Sequence, residues 1–265
     1  MTSIAWLTDI HLNFLEPAAL QRFLGELSNC PADAILLGGD IGEAPDVCDY
    51  LRQLDEALAR PIDFVLGNHD FYRGSIQTVR RGVTELAQQT PRLHYLSVGE
   101  PNELAPGVGL VGHDGWADGR IGDYERSLIM MNDYRLIEEL AQFGKRERLD
   151  KLHALGDEAA EHIRRVLPPA LERWPHVFLL THVPPMREAC WHEGNLSDDE
   201  WAPHFACQAM GDVILDIMAD QPDKRLTVLC GHTHGSGECQ PAPNVTIHTG
   251  GAEYGRPEVQ RLFDL

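Results

Sequence analysis

Five short segments of this sequence carry side chains able to hold metal ions: Asp9-Ile10-His11, Gly39-Asp40, Gly67-Asn68-His69-Asp70, Thr181-His182 and Gly231-His232-Thr233-His234. Imidazole and carboxylate donors without thiolate suit Mn, Fe or Zn, and a carboxylate can bridge two ions through its two oxygens. The set is too large for one ion. Two ions about 3.5 to 4 Å apart would produce hydroxide near neutral pH and offset developing charge, which is equipment for hydrolysis. Gly39, Gly67 and Gly231 each stand just before a candidate ligand. A chain leaving a strand turns sharply there, so positive φ without a Cβ clash is expected at all three.

The elements that must position these groups are legible as short apolar runs alternating with stretches of helical period. Strands are expected over 4–8, 34–38, 63–66, 93–96, 107–111, 177–181, 226–230, 245–249 and 259–263. Helices are expected after Pro17 (Leu20, Phe23, Leu24, Leu27), around Leu51, Leu54 and Leu58, through Val79, Val83 and Leu86, and over 210–218. Each candidate segment follows the last apolar residue of a strand, and in layered α/β folds the carboxyl ends of strands form the ligand crevice. The chain reads as a single domain over 1–265, with a charged helical insertion at about 116–169 whose loop 118–133 can lean over the site. Residues 186–206, containing Trp191, His192, Trp201, His204 and Phe205, are too long for an ordinary connection and read either as a substrate-facing lid or as a packed surface loop.

Composition limits the classes further. The 265 residues carry a formal charge of -19 and are 43% hydrophobic. An acidic chain without basic runs does not grip nucleic acid through its phosphates. No apolar stretch approaches the roughly 18 residues that span a bilayer, and the N-terminal residues lack a signal-peptide pattern, so a cytoplasmic location without membrane contact is expected. Six cysteines without Cys-x-x-Cys spacing fit reduced thiols. His153 and His162 read as solvated, and His113 as a residue bordering the pocket without being a ligand.

Taken in order from Asp9 to His234, Asp-x-His, Gly-Asp, Gly-Asn-His-Asp, His and Gly-His-x-His resemble the calcineurin-like metallophosphoesterase superfamily. The resemblance implies an α/β fold, a four-layer α/β/β/α sandwich with two mixed β-sheets flanked by helices. It implies two divalent or trivalent ions (Mn, Fe or Zn), with Asp9, His11 and His234 on one, Asn68, His182 and His232 on the other, and Asp40 bridging. His69 becomes the proton donor to the leaving group, Asp70 its orienting partner, and the nucleophile a metal-bridging hydroxide attacking phosphorus in line. Arg73 and Asn13 stand near enough in sequence to contact a substrate phosphate, while Arg73 fits an ion pair at a helix start equally well and Asn13 fits the cap of a turn.

The substrate expected from this reading is a small phosphodiester or phosphomonoester. Gly39-Asp40-Ile41-Gly42-Glu43 and Asp70 depart from the Asp-x-Val-Asp-Arg-Gly and Gly-Asn-His-Glu of the protein-phosphatase branch, so the pattern looks more like bacterial phosphodiesterase-type members. A Ser/Thr phosphoprotein phosphatase and a non-catalytic metal-binding scaffold are the alternatives. A single-zinc hydrolase, with three protein ligands and an open position, leaves half the set unused. Oligomeric state is not legible.

Overall fold

In the computed structural model, which describes residues Met1–Leu265, the first third of the chain alternates strand and helix. The elements are β1 (Ser3–Leu7), α1 (Pro17–Ser28), β2 (Ala34–Gly38), α2 (Val47–Leu58), β3 (Ile62–Val65), α3 (Ile76–Gln89) and β4 (Leu93–Tyr95). These four strands pair in parallel. The C-terminal β13 (Arg261–Asp264) adds an antiparallel edge beside β1, giving the order β13-β1-β2-β3-β4.

The second sheet is built from β5 (Asn102–Ala105), β6 (Val108–His113), β7 (His176–Thr181), β10 (Arg225–Cys230), β11 (Gly237–Ala242) and β12 (Val245–Thr249), in the order β11-β12-β10-β7-β6-β5. Its inner strands are parallel and its edges antiparallel. A two-stranded hairpin, β8 (Trp191–His192) with β9 (Asn195–Leu196), stands apart.

Strand burial explains the layering. Alternate residues of the first sheet, Ile4, Trp6, Leu36 and Val65, pack against Leu110, Phe178, Leu180 and Leu229 of the second. The intervening residues Ala5, Leu7, Ile35, Leu37 and Phe64 face Phe23, Leu24, Leu51 and Val83 on the helices. Strands covered on both faces read as continuous apolar runs, which is why they were legible. On the outer side of the second sheet lie α6 (Lys145–Arg173) and α7 (Gln208–Ala219), where Ile163, Val166 and Ile214 meet Val177, Leu179 and Val228. The result is the α/β/β/α sandwich with two mixed sheets.

Three features depart from the sequence expectations. The edge strands β5 and β11 and the hairpin β8–β9 were not anticipated. β11 reads Gly-Glu-Cys-Gln-Pro-Ala, has exposed alternate residues and slips register between Cys239 and Ala242. Pro and polar residues are tolerated on an edge because one side of its ladder needs no partner. Helix α6 runs through Pro168 and Pro169 to Arg173. Each proline removes an N–H, and Val166, Leu167, Ala170 and Leu171 keep that turn docked in the core. The stretch preceding α6 forms only two short helices, α4 (Asp133–Leu136) and α5 (Glu138–Ala141). Leu152 of α6 joins the core of the first sheet and Ile163 that of the second, so one helix braces both. No helix is long and apolar enough to cross a membrane.

Candidate metal centre

The ligand-bearing loops are tied to one another by backbone hydrogen bonds: Asp9 N–H to Gly39 O (3.0 Å), His11 N–H to Asp40 O (2.8 Å) and Gly231 N–H to His182 O (2.9 Å). Left-handed backbone is concentrated here. Gly39 has φ +89, and the candidate ligands Asp9, His11, Asp40, His232 and His234 have φ of 52, 39, 51, 70 and 58. Non-glycine residues adopt this region rarely and at a cost of roughly 1–3 kcal/mol each, and such residues cluster at functional sites. Gly67 and Gly231, expected at positive φ, do not have it. They are glycines because of close approach: a Cβ on Gly67 would run into the Asp40 carboxylate and the His182 ring, and one on Gly231 into Asp9 and Thr8.

Two groups of donor atoms converge across the seam between the sheets. In the first, donor atoms of Asp9, His11, Asp40 and His234 all lie within 4.8 Å of one another. His11 Nε2 is 3.1 Å from His234 Nε2 and 3.7 Å from Asp40 Oδ2, and His234 Nε2 is 3.5 Å from Asp9 Oδ1. In the second, Asn68 Oδ1 is 2.9 Å from His232 Nδ1 and 3.1 Å from His182 Nε2, which lies 3.5 Å from Asp40 Oδ1. Asp40 therefore presents one oxygen to each group. His69 Nε2 lies 4.0 Å from Asp40 Oδ2, and its ring packs on Tyr72 with centroids 4.2 Å apart.

The second group is oriented from behind. His182 Nδ1–H donates to Gly38 O (2.9 Å) and His232 Nε2–H to His204 O (2.9 Å), which leaves His182 Nε2 and His232 Nδ1 as the nitrogens with free lone pairs. Asn68 Nδ2 donates to Asp133 Oδ1 (2.8 Å), which also accepts from the Tyr72 hydroxyl (2.7 Å), so the amide oxygen of Asn68 must face the histidines. Nothing in the sequence singled out Asp133 or Tyr72, because their partnership with Asn68 spans up to 65 residues.

Burial sets the protonation of the cluster. It pushes His11 down to about 2, and His69 and His232 to about 4. It also pushes Asp40 well above the carboxylate range, with the like charges of Asp9 and Asp70 adding to the effect. Asp9 is held low, because His182 and the hydrogen-bonded His234 outweigh its desolvation. The lowered imidazoles of His11 and His232 are in the neutral form that a metal requires. Positive charge between Asp9 and Asp40 would relieve their repulsion. The donor set therefore fits two cations.

Asp70 is not the partner of His69. Its Oδ1 accepts from Ile41 N–H and Gly42 N–H and its Oδ2 from Gly67 N–H, all at 2.8 Å, so it clamps the loops after β2 and β3 together. His69 Nδ1 is buried without a partner. Adjacency suggested the pairing, but the tight turn His69–Phe71 sends Asp70 back toward the strands. Arg73 is held by Glu43 at 2.6 Å with 65% of its side chain exposed, and Asn13 sits in the turn Leu12–Phe14. Neither lines the cleft over the ligands. His113 is buried, accepts from Gly115 N–H at 3.0 Å and faces His162 at 4.9 Å rather than the pocket; His162, expected to be solvated, is half-buried.

The cleft has a volume of about 260 Å³. Its floor includes Asp40, Asn68, His69 and His232, and its walls include His192, Trp201 and Phe205 from the 186–206 segment, Met131 from the 118–133 loop, and Tyr254. Both covering segments thus reach the site. His204 fastens them together, its ring nitrogens contacting Ser127 Oγ (2.9 Å) and Tyr134 Oη (2.6 Å). Tyr254 was missed in the sequence because no periodicity marks the loop that carries it.

Residues 2–236 match the family described as calcineurin-like phosphoesterase. No curated protein matches the chain in sequence. Among solved structures it is similar to Phosphopantetheinyl Hydrolase (PptH) from Mycobacterium tuberculosis, with a TM-score of 0.69 and 13% identity over 96% of this chain and 90% of that one. A dimetal phosphatase from Danio rerio gives a TM-score of 0.58 at 13% identity, covering 97% of this chain and 89% of that one. TT1561 of Thermus thermophilus gives 0.55 at 16%, covering 94% and 89%. At these identities the likeness is one of fold.

Proposed function

Because the chain belongs to the calcineurin-like phosphoesterase family, we propose that it hydrolyses a small phosphodiester or phosphomonoester at a centre of two Mn, Fe or Zn ions. In this reading Asp9, His11 and His234 hold one ion, Asn68, His182 and His232 the other, and Asp40 bridges. The observation that carries it is the division of the Asp40 carboxylate, with Oδ1 toward His182 and Oδ2 toward His11. When bound, two such ions supply a nucleophile from water at neutral pH and offset phosphoryl charge.

The chain's own residues do the rest. The tied-back rings of His182 and His232 fix the second group's geometry before any ligand arrives, which lowers the reorganisation needed on binding. His69 presents Nε2 toward Asp40 and is the candidate proton donor to the leaving-group oxygen. Burial keeps the free imidazole neutral at pH 7, and an anionic ester against it favours the charged, proton-donating form. Asp70 fixes the loops that carry Asp40 and His69 and takes no proton in this scheme.

The test is hydrolysis of p-nitrophenyl phosphate and bis-p-nitrophenyl phosphate by chelator-stripped protein, before and after manganese, iron or zinc is restored. Metal-dependent release of p-nitrophenolate is expected, and the preferred ester separates monoester from diester chemistry. His69→Ala should slow esters of poor leaving groups more than those of good ones while metal content stays normal. A protein that binds two ions and cleaves no ester, p-nitrophenyl or otherwise, would instead be the metal-binding scaffold.

A further inference from the structure

The cleft above the ligand groups is bounded by rings at both ends. At the second group, Trp201 and Phe205 stack with centroids 5.2 Å apart and planes 19° from parallel, and Phe205 meets His232 edge-on at 5.5 Å. At the first group, Tyr254 lies 4.6 Å from His11 and 5.0 Å from His234, with Phe14 4.6 Å behind it. The rings do more than fill a core: Trp201 is only partly buried and Tyr254 is 47% exposed.

The cleft is equally defined by what its lining lacks. No Lys or Arg contributes to it. Recognition of a second phosphate or another anion calls for a guanidinium fork or an ammonium group. Arg73, the cation that sequence placed nearest the motif, is engaged by Glu43. The chain as a whole, at -19, repels further negative charge. The volume of about 260 Å³ lies below the roughly 300–1,000 Å³ common for pockets that take drug-sized ligands.

We propose that this cleft selects small phosphodiesters whose non-leaving group carries an uncharged planar ring, and that Trp201 and Tyr254 determine the preference. The inference rests on the phosphoesterase reading above. The phosphoryl group occupies the floor between His69 and the ligand groups, and the ring lies against the aromatic walls. Offset stacking contributes beyond simple burial, whereas an added anion on the ring finds no partner and loses its hydration.

Three esters with the same leaving group isolate this effect: p-nitrophenyl phenyl phosphate, p-nitrophenyl ethyl phosphate, and the phenyl ester bearing a sulfonate on its non-leaving ring. With manganese-loaded protein, the phenyl ester should exceed the ethyl ester by about tenfold in kcat/KM, mostly through a lower KM. The sulfonated ester should lose that advantage. Trp201→Leu and Tyr254→Leu should each shrink the phenyl-to-ethyl ratio, and Trp201→Phe should retain most of it. Tyr254 lies on the surface, so its variant reports on recognition even where a Trp201 variant folds poorly.

A wild-type ratio near one, a ratio untouched by both leucine variants, or full activity on the sulfonated ester would overturn the proposal while leaving the phosphoesterase intact. Cleavage of p-nitrophenyl phosphate with none of the three diesters cleaved would also overturn the proposal, and absence of all ester cleavage, p-nitrophenyl or otherwise, with manganese, iron or zinc would overturn the phosphoesterase reading itself.

Discussion

Asp133 is none of the six proposed histidine and carboxylate ligands, yet it decides which end of Asn68 faces them, since one of its oxygens accepts from both the Asn68 amide and the Tyr72 hydroxyl. The second group is thereby held on every side, through Gly38 O, His204 O and Asp133. The first group is looser. His11 Nδ1 has no partner, and the His234 side chain is 24% exposed. Loss of an outer partner costs roughly 10–100-fold in metal affinity. Asp133→Ala should therefore weaken one of two manganese-binding events by about that factor and leave the other, as resolved by calorimetric titration of chelator-stripped protein. Unchanged affinities, or equal loss at both sites, would contradict this division. Ligand types were legible in the sequence because residue type and a preceding glycine mark them. The direction of Asp70 and the part played by Asp133 were not, because both depend on where a turn points and on contacts distant in sequence.

Among the elements, the strands that end at the site announce themselves, since burial on both faces demands unbroken apolar runs such as Ala34–Gly38. Edge elements carry no such demand, and β5, β11 and the β8–β9 hairpin were illegible for that reason. The end of β6 shows a different cost. Burial lowers the His113 imidazole to about 3, whereas in the unfolded chain a histidine titrates near 6.5. Between those values the unfolded chain holds a proton that the folded chain does not, so stability present above about pH 6.5 declines as pH falls toward 3. His113→Asn keeps an acceptor for the Gly115 N–H and removes the titration. Urea unfolding at pH 7 and pH 4.5 should show a larger acid-induced loss for the wild type than for the variant, and identical losses would place the acid sensitivity elsewhere.

At the scale of the molecule, each proposed ion draws on both sheets. Asp9 and His11 follow β1 and His234 follows β10, while Asn68 follows β3 and His182 and His232 follow β7 and β10. Neither group exists until the two sheets pack through Ile4, Trp6, Phe178 and Leu180. Metal binding is therefore linked to the global fold, and the left-handed ligand loops are held by that packing. The four-layer architecture was expected from the motif order. The reach of the 118–133 and 186–206 segments over the cleft was expected from the sequence, whereas the part of Tyr254 emerges only when a third segment is brought beside them.

The most direct test is a crystal structure of manganese-loaded protein with anomalous scattering recorded at the manganese edge. The account predicts two anomalous peaks about 3.5 to 4 Å apart. One should lie among Asp9, His11 and His234, the other among Asn68, His182 and His232, with an Asp40 oxygen directed at each. A single peak, or two that do not share Asp40, would contradict it.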